Sequence, residues 1–120
     1  MKKTFKVIFS VLACMLLVFT LASCSAEKKF EKYEEKINVA AAKEDYISYD
    51  EVVKKLGDPT QNATVSLGNT KETGFCIWYA GCEDMDELKE KLEEGKEVPY
   101  IYVTFNDGDA IEAEFGIKEK

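Results

Sequence analysis

Apolar positions after residue 25 first recur every three or four residues, which is the period of one helix face. Phe30, Tyr33 and Ile37 form the first such stripe. A second helix follows Ser48, because Ser48 and Glu51 have the spacing of a capping box. Its predicted buried face comprises Tyr49, Val52, Val53 and Leu56, and it ends at Gly57, two residues before Pro59.

The pattern then changes to the alternation typical of strands. "ATVSL" and "FCIWYA" are predicted strands, followed by a helix in "DMDELKEKLEEGKEVP". Asp84 and Glu87 form its capping pair, and Gly95 ends it. The narrow apolar stripe of this helix consists of Met85, Leu88 and Leu92.

"YIYVTF", "NDGD" and "AIEAEFGI" predict a β-hairpin whose turn lies at 106–108. Alternation predicts one core-facing set of side chains: Ile101, Val103, Phe105, Ile111, Ala113 and Phe115. The opposite face then carries Tyr100, Tyr102, Thr104, Glu112 and Glu114. The expected fold class is α+β, with N-terminal helices packed on one face of an antiparallel sheet of about four strands and a helical insertion between two strands.

The N-terminus has three lysines before residue 7 and an apolar stretch from Val7 to Ala22. This stretch is short for a membrane span, which needs roughly 20 residues, and is typical of a secretory signal peptide. The sequence "LASC" at 21–24 resembles the lipobox of bacterial lipoproteins. The resemblance implies cleavage between Ser23 and Cys24 and lipid attachment to the Cys24 thiol. An ordinary cleaved signal and an uncleaved anchor are the alternatives.

The mature part predicted by this cleavage is acidic. Residues 24–120 contain 13 lysines and 23 acidic residues, which gives a net charge of −10. Such a charge disfavours nucleic-acid binding. The chain has no histidine, which removes Ser-His and Cys-His catalysis and the commonest metal ligand. We therefore expect no enzyme activity, cofactor or metal.

Several motifs together resemble a known family. "SYDEVVKKLGDPTQ", an aromatic strand containing Trp78, and "IYVTFNDGDAIEAEFG" are similar to the β-lactamase inhibitory protein-like domain and to outer-membrane assembly lipoproteins of the SmpA/OmlA type. The resemblance covers about residues 46–117, and "CEDMDELKEKLEEGKEVP" looks like an insertion. It implies that residues 46–120 form a small α+β domain that acts by protein–protein contact. Residues 24–45 are then the lipidated cysteine, a tether and a short helix.

The family resemblance implies a partner surface on the uncovered sheet face. If Phe75, Ile77 and Tyr79 point inward, Trp78 points outward beside Tyr100 and Tyr102. We therefore expect the partner-binding residues to be Trp78, Tyr100, Tyr102 and Thr104. The alternative is a sheet face whose aromatic residues serve β-structure alone.

Cys76 and Cys82 are candidates for a disulfide. In a straight strand they would lie roughly 20 Å apart, too far for a bridge, so pairing requires a turn at Ala80-Gly81. One buried thiol and one incidental thiol are the alternative.

The resulting functional expectation is a lipid-anchored protein on the extracytoplasmic face of the cell membrane or envelope that binds another protein. A small-ligand or cation-binding module using Glu83, Asp84 and Asp86 is the alternative. These acidic residues also suit the start of a helix.

Overall fold

The computed structural model describes residues 26–120, which form three helices and one five-stranded antiparallel sheet. The elements in chain order are α1 (26–42), β1 (Ile47–Ser48), α2 (Tyr49–Leu56), β2 (Gln61–Val65), β3 (Thr73–Tyr79), α3 (Met85–Glu93), β4 (Val98–Asn106) and β5 (Asp109–Lys118). The predicted α+β class and the helical insertion are confirmed. The sheet has one strand more than the expected four because the two-residue β1 pairs with the start of β5.

The strands lie in the order β1-β5-β4-β3-β2. The predicted hairpin is β4 and β5, joined through Asp107 and Gly108 with φ angles of 51° and 80°. Positive φ at both turn positions suits the twist of a two-residue hairpin.

A bulge in this hairpin corrects one predicted core residue. Thr104 pairs with Glu112, whereas Phe105 pairs with Ala110, so Ile111 is the extra residue on β5. Ala110 takes the core position, and Ile111 is 40% exposed. The inward prediction for Ile111 is therefore wrong, while Ala113 and Phe115 pack with the core as expected.

The main core lies between the sheet and the helices α1 and α2. Phe30, Tyr33 and Ile37 are all buried there, which confirms the first apolar stripe. The start of α2 is also confirmed, since the Glu51 amide donates to Ser48 Oγ at 3.2 Å. Gly57 ends α2 with a φ of 85°, a conformation that glycine adopts without steric cost.

Helix α1 is an integral part of the fold. Its residues 26–42 fall within the segment expected to be a tether and a short helix, yet its stripe enters the same core as β3 and β4. The Asn38 side chain also bonds both backbone groups of Ala113 on β5, each at 2.9 Å.

Helix α3 contacts the opposite face of the sheet. A second cluster contains Cys82, Leu88 and Val98, with Tyr79 and Leu92 packed against it. Val98 shares its parity with Tyr100 and not with the core residue Ile101, so this cluster lies on the side away from α1 and α2. The insertion therefore covers one end of the face that is otherwise open.

The predicted signal peptide (1–23), its cleavage position and the lipid-attachment residue Cys24 lie outside the described residues. Among residues 26–120, none of the helices combines the length and the apolar character needed to cross a membrane.

Candidate protein-binding face

The orientation of β3 decides which side chains the open face presents. Trp78 pairs with Ile101, and Cys76 pairs with Val103. Directly opposite residues of an antiparallel pair project to the same side, so Trp78 and Cys76 share the buried side of Ile101 and Val103. Trp78 is only 3% exposed, and its Nε1 donates to the Gly57 carbonyl at 2.8 Å.

The outward prediction for Trp78 is therefore wrong. The residues assigned inward, Phe75, Ile77 and Tyr79, point to the open side instead. Strand β3 is apolar at both parities ("TGFCIWY"), so its own alternation does not say which set is buried. The bond from the indole to the end of α2 selects the tryptophan side, and only the tertiary structure brings those two groups together.

We define the aromatic face as the half-buried side chains of β3 and β4 on the open side: Phe75, Ile77, Tyr79, Tyr100 and Tyr102. Sequence reasoning missed the first three. The predicted residues Tyr100, Tyr102 and Thr104 do lie on this side, next to Glu112 and Glu114 of β5.

The rings of the aromatic face hold one another in place. Phe75 and Tyr102 are stacked with centroids 4.9 Å apart and planes at 17°. Tyr79 and Tyr100 are 5.6 Å apart at 48°. Offset aromatic pairs at such distances stabilise beyond the area that they bury. The aromatic face is therefore pre-formed.

Gly116 explains how Tyr100 lies flat on the sheet. Gly116 is directly opposite Tyr100 in the β4–β5 register. A Cβ atom at this position would overlap the Tyr100 ring. Because Gly116 has no side chain, the Tyr100 ring extends across β5 at this position.

The polar side-chain atoms of the aromatic face are tyrosine hydroxyls. Burial, followed by the neighbouring Tyr100 and Cys82, raises the pKa of Tyr79 above its ordinary value. At neutral pH the Tyr79 phenol therefore stays protonated and keeps both its donor and its acceptor. This suits hydrogen bonding to a partner and gives no base for catalysis.

Glu112 and Glu114 border the aromatic face without a cation beside them. Within residues 26–120 the one ion pair joins Lys96 and Glu94 at 2.9 Å. The two glutamates are exposed and lie on β5 opposite Thr104 and Tyr102. They give one border of the aromatic face a negative charge.

The two cysteines of the domain are free thiols and not a disulfide. Cys76 lies in the main core, whereas Cys82 lies in the second cluster on the other side of the sheet. The predicted bridge is therefore not formed. Burial, followed by the charge of Glu72, raises the pKa of Cys76 to about 11, and burial also raises that of Cys82. A protonated, buried thiol is a poor nucleophile and metal ligand.

The acidic start of α3 has a structural role. Asp84 Oδ1 accepts the Glu87 amide at 2.9 Å, and Glu87 Oε2 accepts the Glu83 amide at 3.2 Å. The predicted capping pair is thus confirmed. No group of three metal-ligating side chains comes together in the part of the chain that the structure describes.

Comparison with known proteins gives no relative: no family model, no curated protein and no solved structure matches this chain.

Proposed function

We propose that this chain is an exported protein, acylated at Cys24 and held at the extracytoplasmic face of the cell membrane or envelope, where its aromatic face binds another protein. The observation that carries the binding proposal is the cluster of half-buried aromatic side chains on a sheet face that α3 covers at one end only. Tyrosines are enriched among the residues that dominate binding energy at protein interfaces.

The shape of the aromatic face favours a protein as the partner. Small ligands bind in concave sites that bury most of their surface. Here the Phe75–Tyr102 and Tyr79–Tyr100 pairs lie along the sheet and offer a broad surface. Because stacking already restricts these rings, binding costs less side-chain entropy than it would for free side chains.

Charge favours a partner with basic residues at one side of its contact. Glu112 and Glu114 border the aromatic face and are exposed. Lysine or arginine opposite them would complement this border, and electrostatic complementarity increases both specificity and association rate.

The N-terminal pattern supports membrane attachment. Two acyl chains on one cysteine give stable anchoring, whereas a single chain gives marginal binding. Phe30 is buried only six positions after Cys24, so fully extended chain between them spans at most about 20 Å. The domain would therefore sit close to the bilayer.

The resemblance to the β-lactamase inhibitory protein-like and SmpA/OmlA-type domains stays a prediction. It favours binding over catalysis. Neither β-lactamase inhibition nor a named partner is part of the proposal.

Site-specific photocrosslinking of the full chain in cells tests this surface. A photoreactive phenylalanine analogue at Tyr102 should give one discrete adduct that mass spectrometry identifies as a different protein. The matched position is Val39, which is 45% exposed on α1. It should not give this adduct. Phe75→Ala, which removes the ring stacked on residue 102, should weaken the adduct.

The same adduct from both positions, or none from Tyr102, would contradict the proposed surface. An adduct of the chain with a second copy of itself would also count against it. Circular dichroism of each variant checks that the fold persists.

A further inference from the structure

The two edges of the sheet differ in how their outward backbone groups are bonded. Strand β5 is followed by β1 at one edge, but β1 pairs only with Ala110 and Asp109. Beyond these two residues, side chains of α1 bond to the backbone of β5. Asn38 bonds the amide and the carbonyl of Ala113, and Glu34 accepts the Phe115 amide. Side chains of α1 therefore occupy three outward backbone groups in the middle of this edge, which hinders the addition of another strand there.

Strand β2 forms the other edge along its whole length. Its outward backbone groups belong to Asn62 and Thr64. The Thr64 amide bonds the Asn62 side chain at 3.0 Å and not β3. The Tyr79 amide of β3 points toward β2, because it donates to Thr60 Oγ1 at 2.9 Å. Backbone groups alternate in direction along a strand. In this register the backbone N–H and C=O groups of Asn62 and Thr64 therefore point away from the sheet.

The β2 edge lacks the devices that usually block strand addition. Such edges often carry lysine, proline or inward-pointing charges. Strand β2 reads "QNATV" and has none of these. Val65 is 57% exposed, and Leu67, just beyond the strand, is 73% exposed. One local bond, from the Thr64 amide to Asn62, is all that occupies an outward group here.

Charge identifies the kind of strand that fits. Residues 59–70 contain no charged side chain, the longest uncharged run in 26–120, in a chain with a net charge of −7. Two copies of an acidic protein repel each other, and this repulsion is smallest where both contacting surfaces are neutral. A basic partner would instead be matched by carboxylates, which this edge does not have.

We propose that the β2 edge pairs with β2 of a second copy of this chain, antiparallel and with Ala63 on the two-fold axis. Asn62 then lies opposite Thr64 of the partner subunit, and these two residues exchange backbone hydrogen bonds. Each Thr64 amide leaves the Asn62 side chain for a carbonyl of the other copy. The result is a ten-stranded sheet in which the two aromatic faces lie on one continuous side.

A charge-swap experiment tests this pairing. With Ala63 on the axis, the two copies place this residue directly opposite itself, with Cα atoms about 4.5 Å apart. Ala63 is exposed, so it accepts a larger side chain without repacking the core. Full-length chains carrying two different C-terminal tags are expressed in the same cells and solubilised in excess detergent. One tag is captured, and the co-captured second copy is measured.

Wild-type chains should capture each other. Ala63→Lys in both copies should lower capture at least ten-fold, because like charges then face each other across the axis. Ala63→Lys with Ala63→Asp should restore it. Ile111→Lys, at an exposed position on the opposite edge, should leave capture unchanged.

Recovery in the mixed pair excludes misfolding as the cause of the loss. Chains that only share a detergent micelle are captured equally whatever residue stands at position 63. Absence of wild-type capture, equal capture in all pairs, or a mixed pair no better than the lysine pair would overturn the proposal. None of these outcomes depends on whether the aromatic face binds another protein.

Discussion

Cys76 shows how one buried side chain links the core to pH. Its thiol is fully buried on the core side of β3. Burial is the main cause of its raised pKa of about 11, and the Glu72 carboxylate contributes. The ordinary pKa of this thiol, expected in the unfolded chain, is 9.0. Folding therefore favours the protonated thiol.

We expect this thiol to make the folded state less stable at high pH. Below pH 9 it is neutral in both states, and its full contribution is present. Between pH 9 and about 11 the unfolded state loses the proton first, so the free energy of unfolding falls by about 2 kcal/mol. Urea unfolding at pH 8 and pH 11 measures the fall.

Cys76→Ala is the control, because tyrosines with raised pKa values titrate in the same pH range in both proteins. The variant should lose less stability over this interval than the wild type. An equal fall in both would show that Cys76 is not the source.

The orientation of Trp78 could not be predicted from the sequence of its own strand. Helical stripes and caps depend on residues within one turn, and those around Ser48 and Asp84 were correctly predicted. Strand β3 is apolar on both sides, so its orientation depends on its register with β4 and on the bond to Gly57. Both are long-range, and neither is visible in the local pattern.

At the scale of elements, α1 matters as much for the sheet edge as for the core. The Asn38 amide side chain offers one donor and one acceptor to Ala113, as a neighbouring strand would. These bonds are partly buried and join residues that are 75 positions apart. They fix α1 against β5.

We expect Asn38→Ala to lower the free energy of unfolding by about 1–3 kcal/mol, since it leaves the Ala113 amide and carbonyl without their partners. Urea unfolding measures the loss. Val39→Ala at the next position is the matched control, because Val39 is largely exposed, and it should change stability by less than about 0.5 kcal/mol. Similar losses in both variants would contradict the role of Asn38.

For the molecule as a whole, the proposed anchor and the compact domain are joined by very little chain. The predicted signal peptide carries three lysines, and the predicted mature part, with 13 lysines and 23 acidic residues, carries a net charge of −10. The lipid would therefore hold an acidic body close to the bilayer, and repulsion from anionic headgroups would orient it.

Intact-mass analysis of the chain purified from bacterial membranes tests this arrangement. The expected mass is that of a chain that begins at Cys24 and carries a diacylglyceryl group. Cys24→Ser should remove the lipid and release the chain from the membrane fraction, because serine provides no thiolate. Ser25→Ala is the matched control and should stay lipidated. Recovery of wild-type chain that still begins at Met1 without lipid would refute the anchor.

The sequence by itself determined the features that depend on neighbours along the chain. The helix caps at Ser48 and Asp84, the stripe of Phe30, Tyr33 and Ile37, and the hairpin turn at Asp107-Gly108 are local in this sense. Each follows from backbone groups and side chains within a few residues.

The tertiary structure alone decided the composition of the aromatic face, the exposure of Ile111 and the protection of one sheet edge by Asn38. A strand that is apolar on both sides can present either one to the core, and the bulge makes Ile111 an extra residue, so that Ala110 takes the core position. These choices are set by contacts between segments that are distant in the chain, and period and composition do not encode them locally.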